Sequence, residues 1–332
     1  MTRATEWMER HQVALYLAAI VVGAAVGLLA PVAAGPLESA INPVLGLLLY
    51  ATFLGVPFAR MGEAIRDWRF LATVLVLNFA IVPVVVFVLS RLVAFDQVLL
   101  VGVLFVLLTP CVDYVIVFTG LAGGARDRLL AAAPLLMLGQ MLLLPVYLWV
   151  MVGPAFVEAV DLAPFAEAFV FLIVIPLVAA VLTQLLARHT RFGKGLARVV
   201  LGAMVPLMML TLAVVVGSQI YHVSQQAARL LWVVPVFVLF AAVMVPIGAL
   251  AGRTARLDIP GRRAVVFSGA TRNSLVVLPL VLALPAGFAL APLVVVTQTL
   301  IELIAMVVFV RLIPRLIRVR EDATPSRYAS DL

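Results

Sequence analysis

Cys111 is the only cysteine of the chain, and it lies between Pro110 and Asp113 in the run TPCVDYVIVFTGLAGG, Thr109 to Gly124. A thiol beside a helix-breaking proline and a carboxylate, in otherwise apolar surroundings, can ligate a soft, thiophilic species. A second polar cluster, GATRNSLVVL from Gly269, sets Arg272, Asn273 and Ser274 into another apolar run. A third chemical group is Glu302 in VTQTLIELIAMVVFV, where the next charge is Arg311. A carboxyl so placed can carry a proton, or can act as a neutral hydrogen-bonding group between helices. Thr297, Gln298 and Thr299 precede it by about one turn and can line the same cavity.

The elements that carry these groups are oily. The 332 residues are 65% hydrophobic and 12% charged, about half the charged share of a soluble domain. Ten apolar runs of roughly 20 residues, each enough to cross a bilayer core as helix, fall at about 12–33, 38–58, 70–92, 97–120, 128–152, 164–187, 197–220, 230–252, 263–284 and 287–313. Backbone polar groups must be satisfied internally in lipid, so the spans are helical and the fold class is an all-α polytopic membrane protein. The first 33 residues, ending in PVAAGP, have some features of a signal peptide, but the apolar part is long and nine spans follow, so it reads as span 1.

Basic residues set the orientation. With a cytoplasmic N-terminus, only Arg91 and Arg229 of the 23 basic residues fall outside, and Arg272 falls within a span. Both termini are then cytoplasmic, and the protein is multi-pass in the plasma (inner) membrane. This bias accounts for the net charge of +7 without nucleic acid as a partner, and the basic loops face anionic lipid. The polar residues 321–332 read as a disordered tail.

An enzyme is not expected. The chain has no GxSxG, HExxH or phosphate loop, and no paired aspartates of the prenyltransferase kind. His11, His189 and His222 have no metal-ligand spacing, and one cysteine allows no internal disulfide. No metal, cofactor or obligate protein partner is indicated.

Ten spans divide into five and five, residues 1–155 and 156–320. An odd number per half inverts the second, the plan of many secondary transporters. Aligned, the fourth spans of the halves place Asp113 on Asn273, each polar cluster followed by apolar residues. Spans 4 and 9 are expected to be interrupted near Pro110 and Gly269 and to cross, giving a binding site, although a proline kink or a glycine can also be ordinary. A charge at mid-membrane costs about 2.5–3.5 kcal/mol, so Asp113, Arg272 and Glu302 together would cost on the order of 8–10 kcal/mol unpaired. They must face the protein interior. Asp113 and Arg272 are natural partners, in a functional or a structural salt bridge.

At these residues the chain resembles the bile acid:sodium symporter superfamily, most closely its arsenite efflux permease branch. The resemblance covers essentially the whole chain. Cys111, the following Val115, Ile116, Val117, Phe118 and Thr119, and Glu302 match the branch's functional cysteine and glutamate motifs. It departs at Pro110, where the permeases carry arginine, and at Asp113, where they carry a small neutral residue. The sodium-coupled branch has asparagine at 113 and 273, glutamate at 268 and glutamine at 272; here Ser268 and Arg272 stand in the last two places. The resemblance therefore implies efflux of arsenite, in some members antimonite, by proton-linked or uncoupled transport without a sodium site. It also implies a substrate site of Cys111, Glu302, Asp113, Arg272 and Asn273, supported by Pro110, Thr109, Ser274, Thr119 and Gln298.

Trivalent arsenic is thiophilic, and one sulfur can hold it reversibly, which suits a transporter. A buried cysteine can equally be packing. The alternative function is carriage of a small organic anion, with Arg272 pairing the substrate carboxylate. A membrane scaffold has no use for the buried charges.

Overall fold

A computed structural model describes residues 3–55, 66–112, 114–153 and 170–318. Asp113, the boundary between the two expected halves and the tail 321–332 lie outside the described residues. The described chain is helical, and among the described residues no strand forms. This is the solution that lets apolar segments satisfy their own backbone.

In chain order the helices are α1 (Arg3–Leu29), α2 (Ala34–Gly55), α3 (Trp68–Val76), α4 (Val82–Ser90), α5 (Gln97–Leu107), α6 (Tyr114–Leu121), α7 (Arg126–Val152) and α8 (Ile175–His189). They continue as α9 (Arg191–Gly202), α10 (Met204–Gln225), α11 (Ala227–Leu230), α12 (Val233–Thr254), α13 (Ile259–Ala270), α14 (Ser274–Leu282) and α15 (Ala291–Leu316). A π-helical turn, Leu77–Ile81, joins α3 to α4. Asp67, Asp96 and Thr190 accept from backbone N–H groups at the starts of α3, α5 and α9, filling donors that every helix start leaves open.

Among the described residues, six helical stretches are long and apolar enough to cross a membrane: Pro31–Gly55, Trp68–Val93, Arg126–Val152, Met204–Tyr221, Ala227–Thr254 and Ala291–Leu316. Shorter apolar helices cover Ala14–Leu29, Gln97–Leu107 and Ile175–His189. The protein is thus a multi-pass helical membrane protein.

Two features differ from the sequence expectation. The run 197–220 is divided, because α9 ends at Gly202 and α10 begins at Met204. Gly193 folds α9 back onto α8; a Cβ there would sit 2.5 Å from Ala187 N. The second helix break also falls later than Gly269, at Thr271–Asn273. Gly269 stays helical, and its missing side chain makes room for Leu77, whose Cδ2 would lie 2.6 Å from a Cβ.

The helices pack in two groups. In one, α1, α2, α8, α9 and α10 lie together, with Gly27 of α1 against the Gly217 carbonyl of α10. Close approach through small residues is how helices associate where lipid removes the hydrophobic drive. In the other group, α3–α7 and α12–α15 surround the two interrupted helices. The groups meet where α10 packs on α15 and α14 packs on α2.

Candidate functional site

A proline has no N–H, so at position 110 it leaves the Val106 carbonyl without its helical donor. The Thr109 hydroxyl compensates, lying 3.0 Å from both Phe105 O and Val106 O. Helix α5 stops, and the chain runs through Leu108–Val112 before α6 resumes. In the second interruption, α13 stops at Ala270, Thr271 Oγ1 donates to Phe267 O at 2.8 Å, and α14 begins at Ser274.

The two interruptions touch. Pro110 and Arg272 form an antiparallel bridge, and Asn273 N donates to Thr109 O at 2.8 Å. Helices α5 and α13 therefore arrive at the crossing from opposite directions. Cys111 is fully buried beside this bridge.

Arg272 organises the crossing. Its backbone N–H leaves the helical ladder and donates to Glu302 Oε2 of α15 at 2.8 Å. Its side chain then fills the carbonyls left behind. Nη2 lies 2.8 Å from both Ser268 O and Gly269 O and 2.9 Å from Asn78 Oδ1, and Nη1 lies 3.3 Å from Leu107 O. One guanidinium thus caps the C-terminal ends of α13 and α5, where helix carbonyls and the macrodipole favour a cation. The Phe240 ring centroid lies 5.3 Å from Arg272 Cζ, a cation–π contact. Arg272 has no solvent exposure.

Glu302 Oε2 also accepts from Gln298 Nε2 one turn earlier on α15. Thr297 and Thr299 instead return their hydroxyls to Leu293 O and Val295 O of their own helix. Asn273 Oδ1 accepts from Val276 N at 3.3 Å and caps α14. Among the described residues, the buried Asn273 Nδ2, Ser274 Oγ, Thr119 Oγ1 and Gln298 Oε1 have no hydrogen-bond partner. Buried polar groups are normally paired, so such atoms mark places for a ligand or water. A cavity of about 10 Å³, room for one water, is lined by Leu107, Phe240, Ala270, Gln298 and Glu302 among others.

The structure thus brings Thr109, Pro110, Arg272, Asn273, Gln298 and Glu302 into one bonded network, with Cys111 and Ser274 adjoining it in the chain. Thr119 is buried on α6, two turns beyond the bridge, and no bond between it and the network is formed. Asp113 lies outside the described residues. Sequence reasoning missed Asn78, which donates to Ser268 Oγ at 2.9 Å as well as accepting from Arg272. The signal was present: Asn78 is the one amide in the apolar run LVLNFAIVPVVVF. The π-helical turn that holds it is a form often found at functional positions.

Ionic contacts hold the far ends of the crossing helices. Arg128 at the start of α7 bonds Asp258, before α13, at 2.6 and 3.2 Å, and Asp67, before α3, at 3.2 Å. Arg263 of α13 donates to Ile317 O after α15 and to Ala122 O after α6. Asp96, before α5, pairs with Arg229 of α11.

No curated protein matches the chain. A family model described as the Sodium Bile acid symporter family matches residues 42–226, more than half of the sequence, and the chain therefore belongs to that family of membrane transporters.

Proposed function

We propose that the chain is a secondary-active exporter of arsenite, and of antimonite with it, working by proton antiport without a sodium site in the plasma membrane. In this reading residues 1–155 and 156–320 are inverted five-helix repeats with spans 4 and 9 crossing, and both termini are cytoplasmic. The observation that carries it is the meeting of a thiol-bearing interruption with the backbone of Arg272, itself bonded to Glu302.

Arsenite is mainly the neutral trihydroxide. The Cys111 thiol displaces one hydroxide, so an S–As bond forms, an As–O bond breaks, and the thiol proton leaves with the hydroxide as water. Asn273 Nδ2 and Ser274 Oγ, unpaired among the described residues, are donors suited to the remaining hydroxyls. Glu302 exchanges the coupling proton. Because its Oε2 accepts from Arg272 N, protonation acts directly on the backbone of the crossing.

Sodium independence is supported by the oxygens around Arg272. Asn78 Oδ1 and the carbonyls of Ser268, Gly269 and Leu107 are oriented toward a cation, and the guanidinium is that cation. The same engagement weighs against the organic-anion alternative, since a substrate carboxylate would have to compete with four protein oxygens.

The test is arsenite accumulation in cells lacking their own exporter. Cells expressing the protein should accumulate less, Cys111→Ser should abolish the difference at matched expression, and Glu302→Gln should stop pH-driven export while leaving binding. Undiminished export by Cys111→Ser would remove the thiol role and leave the organic-anion reading.

A further inference from the structure

Some of the basic residues that the structure describes near the helix ends are held by protein groups, as Arg128, Arg263 and Arg229 are. Those of helix α9 form a separate group. Its basic residues are Arg191, Lys194 and Arg198, following Arg188 at the end of α8. Among the described residues none of the four forms an ion pair. The sequence has no acidic residue between Glu167 and Asp258, so the neighbouring chain supplies no counter-charge.

Three stripes run along α9. Gly193, Ala197 and Val200 face its own protein, and α9 packs on α8 and α2. Arg191, Lys194 and Arg198, at spacings of three and four, form an exposed basic stripe. Phe192, Leu196 and Val199 form an apolar stripe between them, with Phe192 73% and Val199 70% exposed. A helix of this pattern, joining two apolar helices, suits the plane of a membrane interface.

We infer that α9 is a binding surface for the anionic headgroups of one bilayer leaflet. Phe192 and Val199 enter the acyl boundary, and Arg191, Lys194 and Arg198 meet lipid phosphate. The contribution is roughly five-fold in affinity for each basic residue near the surface and is screened by salt. Zwitterionic headgroups carry no net charge and do not satisfy the basic stripe. The inference is independent of the transported substrate.

The full-length protein would be reconstituted in nanodiscs of phosphatidylcholine alone, or of phosphatidylcholine with phosphatidylglycerol, and amide exchange followed over residues 191–202. Exchange should slow on the order of ten-fold in the anionic discs. High salt should erase that difference in the wild-type protein. Arg191→Gln/Lys194→Gln/Arg198→Gln should erase it too, while Phe192→Ser/Val199→Ser should speed exchange in both lipids. Equal exchange of the wild-type protein in the two lipids would overturn the inference. So would a difference that survives both salt and the triple glutamine variant.

Discussion

In the first interruption a neighbouring hydroxyl replaces a missing N–H; in the second a guanidinium replaces a diverted one. Pro110 cannot donate, and Thr109, one residue away, fills the gap at Val106 O. Arg272 can donate but gives its N–H to Glu302, and its own side chain bonds the abandoned Ser268 and Gly269 carbonyls. The first repair is neutral and local. The second is charged, fully buried, and reaches Leu107 of the other interrupted helix and Asn78 of the π-helical turn. The first interruption therefore takes a side chain from the second, while the second takes only a backbone carbonyl, Thr109 O, from the first. Glu302 Oε2 thus holds both the Arg272 backbone N–H and Gln298 Nε2 at the crossing.

The asymmetry predicts unequal damage. Arg272→Leu should be the most harmful change, because it leaves the Ser268, Gly269 and Leu107 carbonyls and Asn78 Oδ1 buried without their cation. Stranding one buried acceptor costs about 1–3 kcal/mol, so the four together should cost several kcal/mol. Thermal unfolding in detergent should show it, with Arg272→Lys giving partial recovery, since a single ammonium cannot present the planar fork. Equal stability of Arg272→Leu and the wild-type protein would end the comparison.

Asn78→Ala should come next. It takes an acceptor from Arg272 and a donor from Ser268 Oγ while leaving the guanidinium's carbonyl contacts in place. A loss of about 1–3 kcal/mol is expected for the stranded groups, by the same measurement. A loss as large as that of Arg272→Leu would mean the amide, not the cation, holds the second interruption.

Thr109→Val tests the first interruption alone. The shape is kept and one hydroxyl donor is lost, so about 1 kcal/mol is expected. Transport assays on the same variant should show Cys111 still competent, because the Asn273 N to Thr109 O bond uses backbone atoms only.

Much of this arrangement is legible from residue types. Pro110, Arg272 and Glu302 stand out because each is costly in an apolar helix, and that cost confines them to the protein interior. Their bonding is less legible. That Glu302 would hold the backbone of Arg272 rather than its side chain depends on how α15 crosses α13, which no local pattern encodes. Gly269 has the composition of a breaker, yet it serves the close approach of Leu77, and the break moves to Thr271. Asn78 was passed over because one amide among valines and leucines is weaker in pattern than a charge. The separation of α9 from α10 was hidden because an interfacial helix and the start of a span share apolar content and differ only in where the arginines fall around the axis.

Helix α5 offers a last comparison, between its own two ends. At the buried end Arg272 meets Leu107 O; at the exposed end Arg229 pairs with Asp96, whose Oδ1 accepts from Val98 N and Leu99 N. Arg229 is about half exposed, so solvent screens the pair, and a worth of about 0.2–1 kcal/mol is expected. Burial acts to raise the Asp96 pKa, but the Arg229 hydrogen bond and charge, with the two backbone donors, outweigh it and hold the carboxyl below its ordinary 3.8. The sign follows from linkage. A carboxylate depressed in the folded state gives stability that is complete above the unfolded value near 3.8 and disappears as pH falls through the lower folded value. The wild-type protein should therefore lose this small increment only in the acid range below about pH 4. Asp96→Asn keeps an acceptor for the cap and removes the charge. It should be slightly less stable at neutral pH, by up to about 1 kcal/mol, and the gap to wild type should close on acidification. A gap that persists at low pH would assign the contribution to the cap rather than the ion pair. Either way it should remain well below the loss at Arg272, because Arg229 is half exposed at one end of α5 while Arg272 is fully buried at the other.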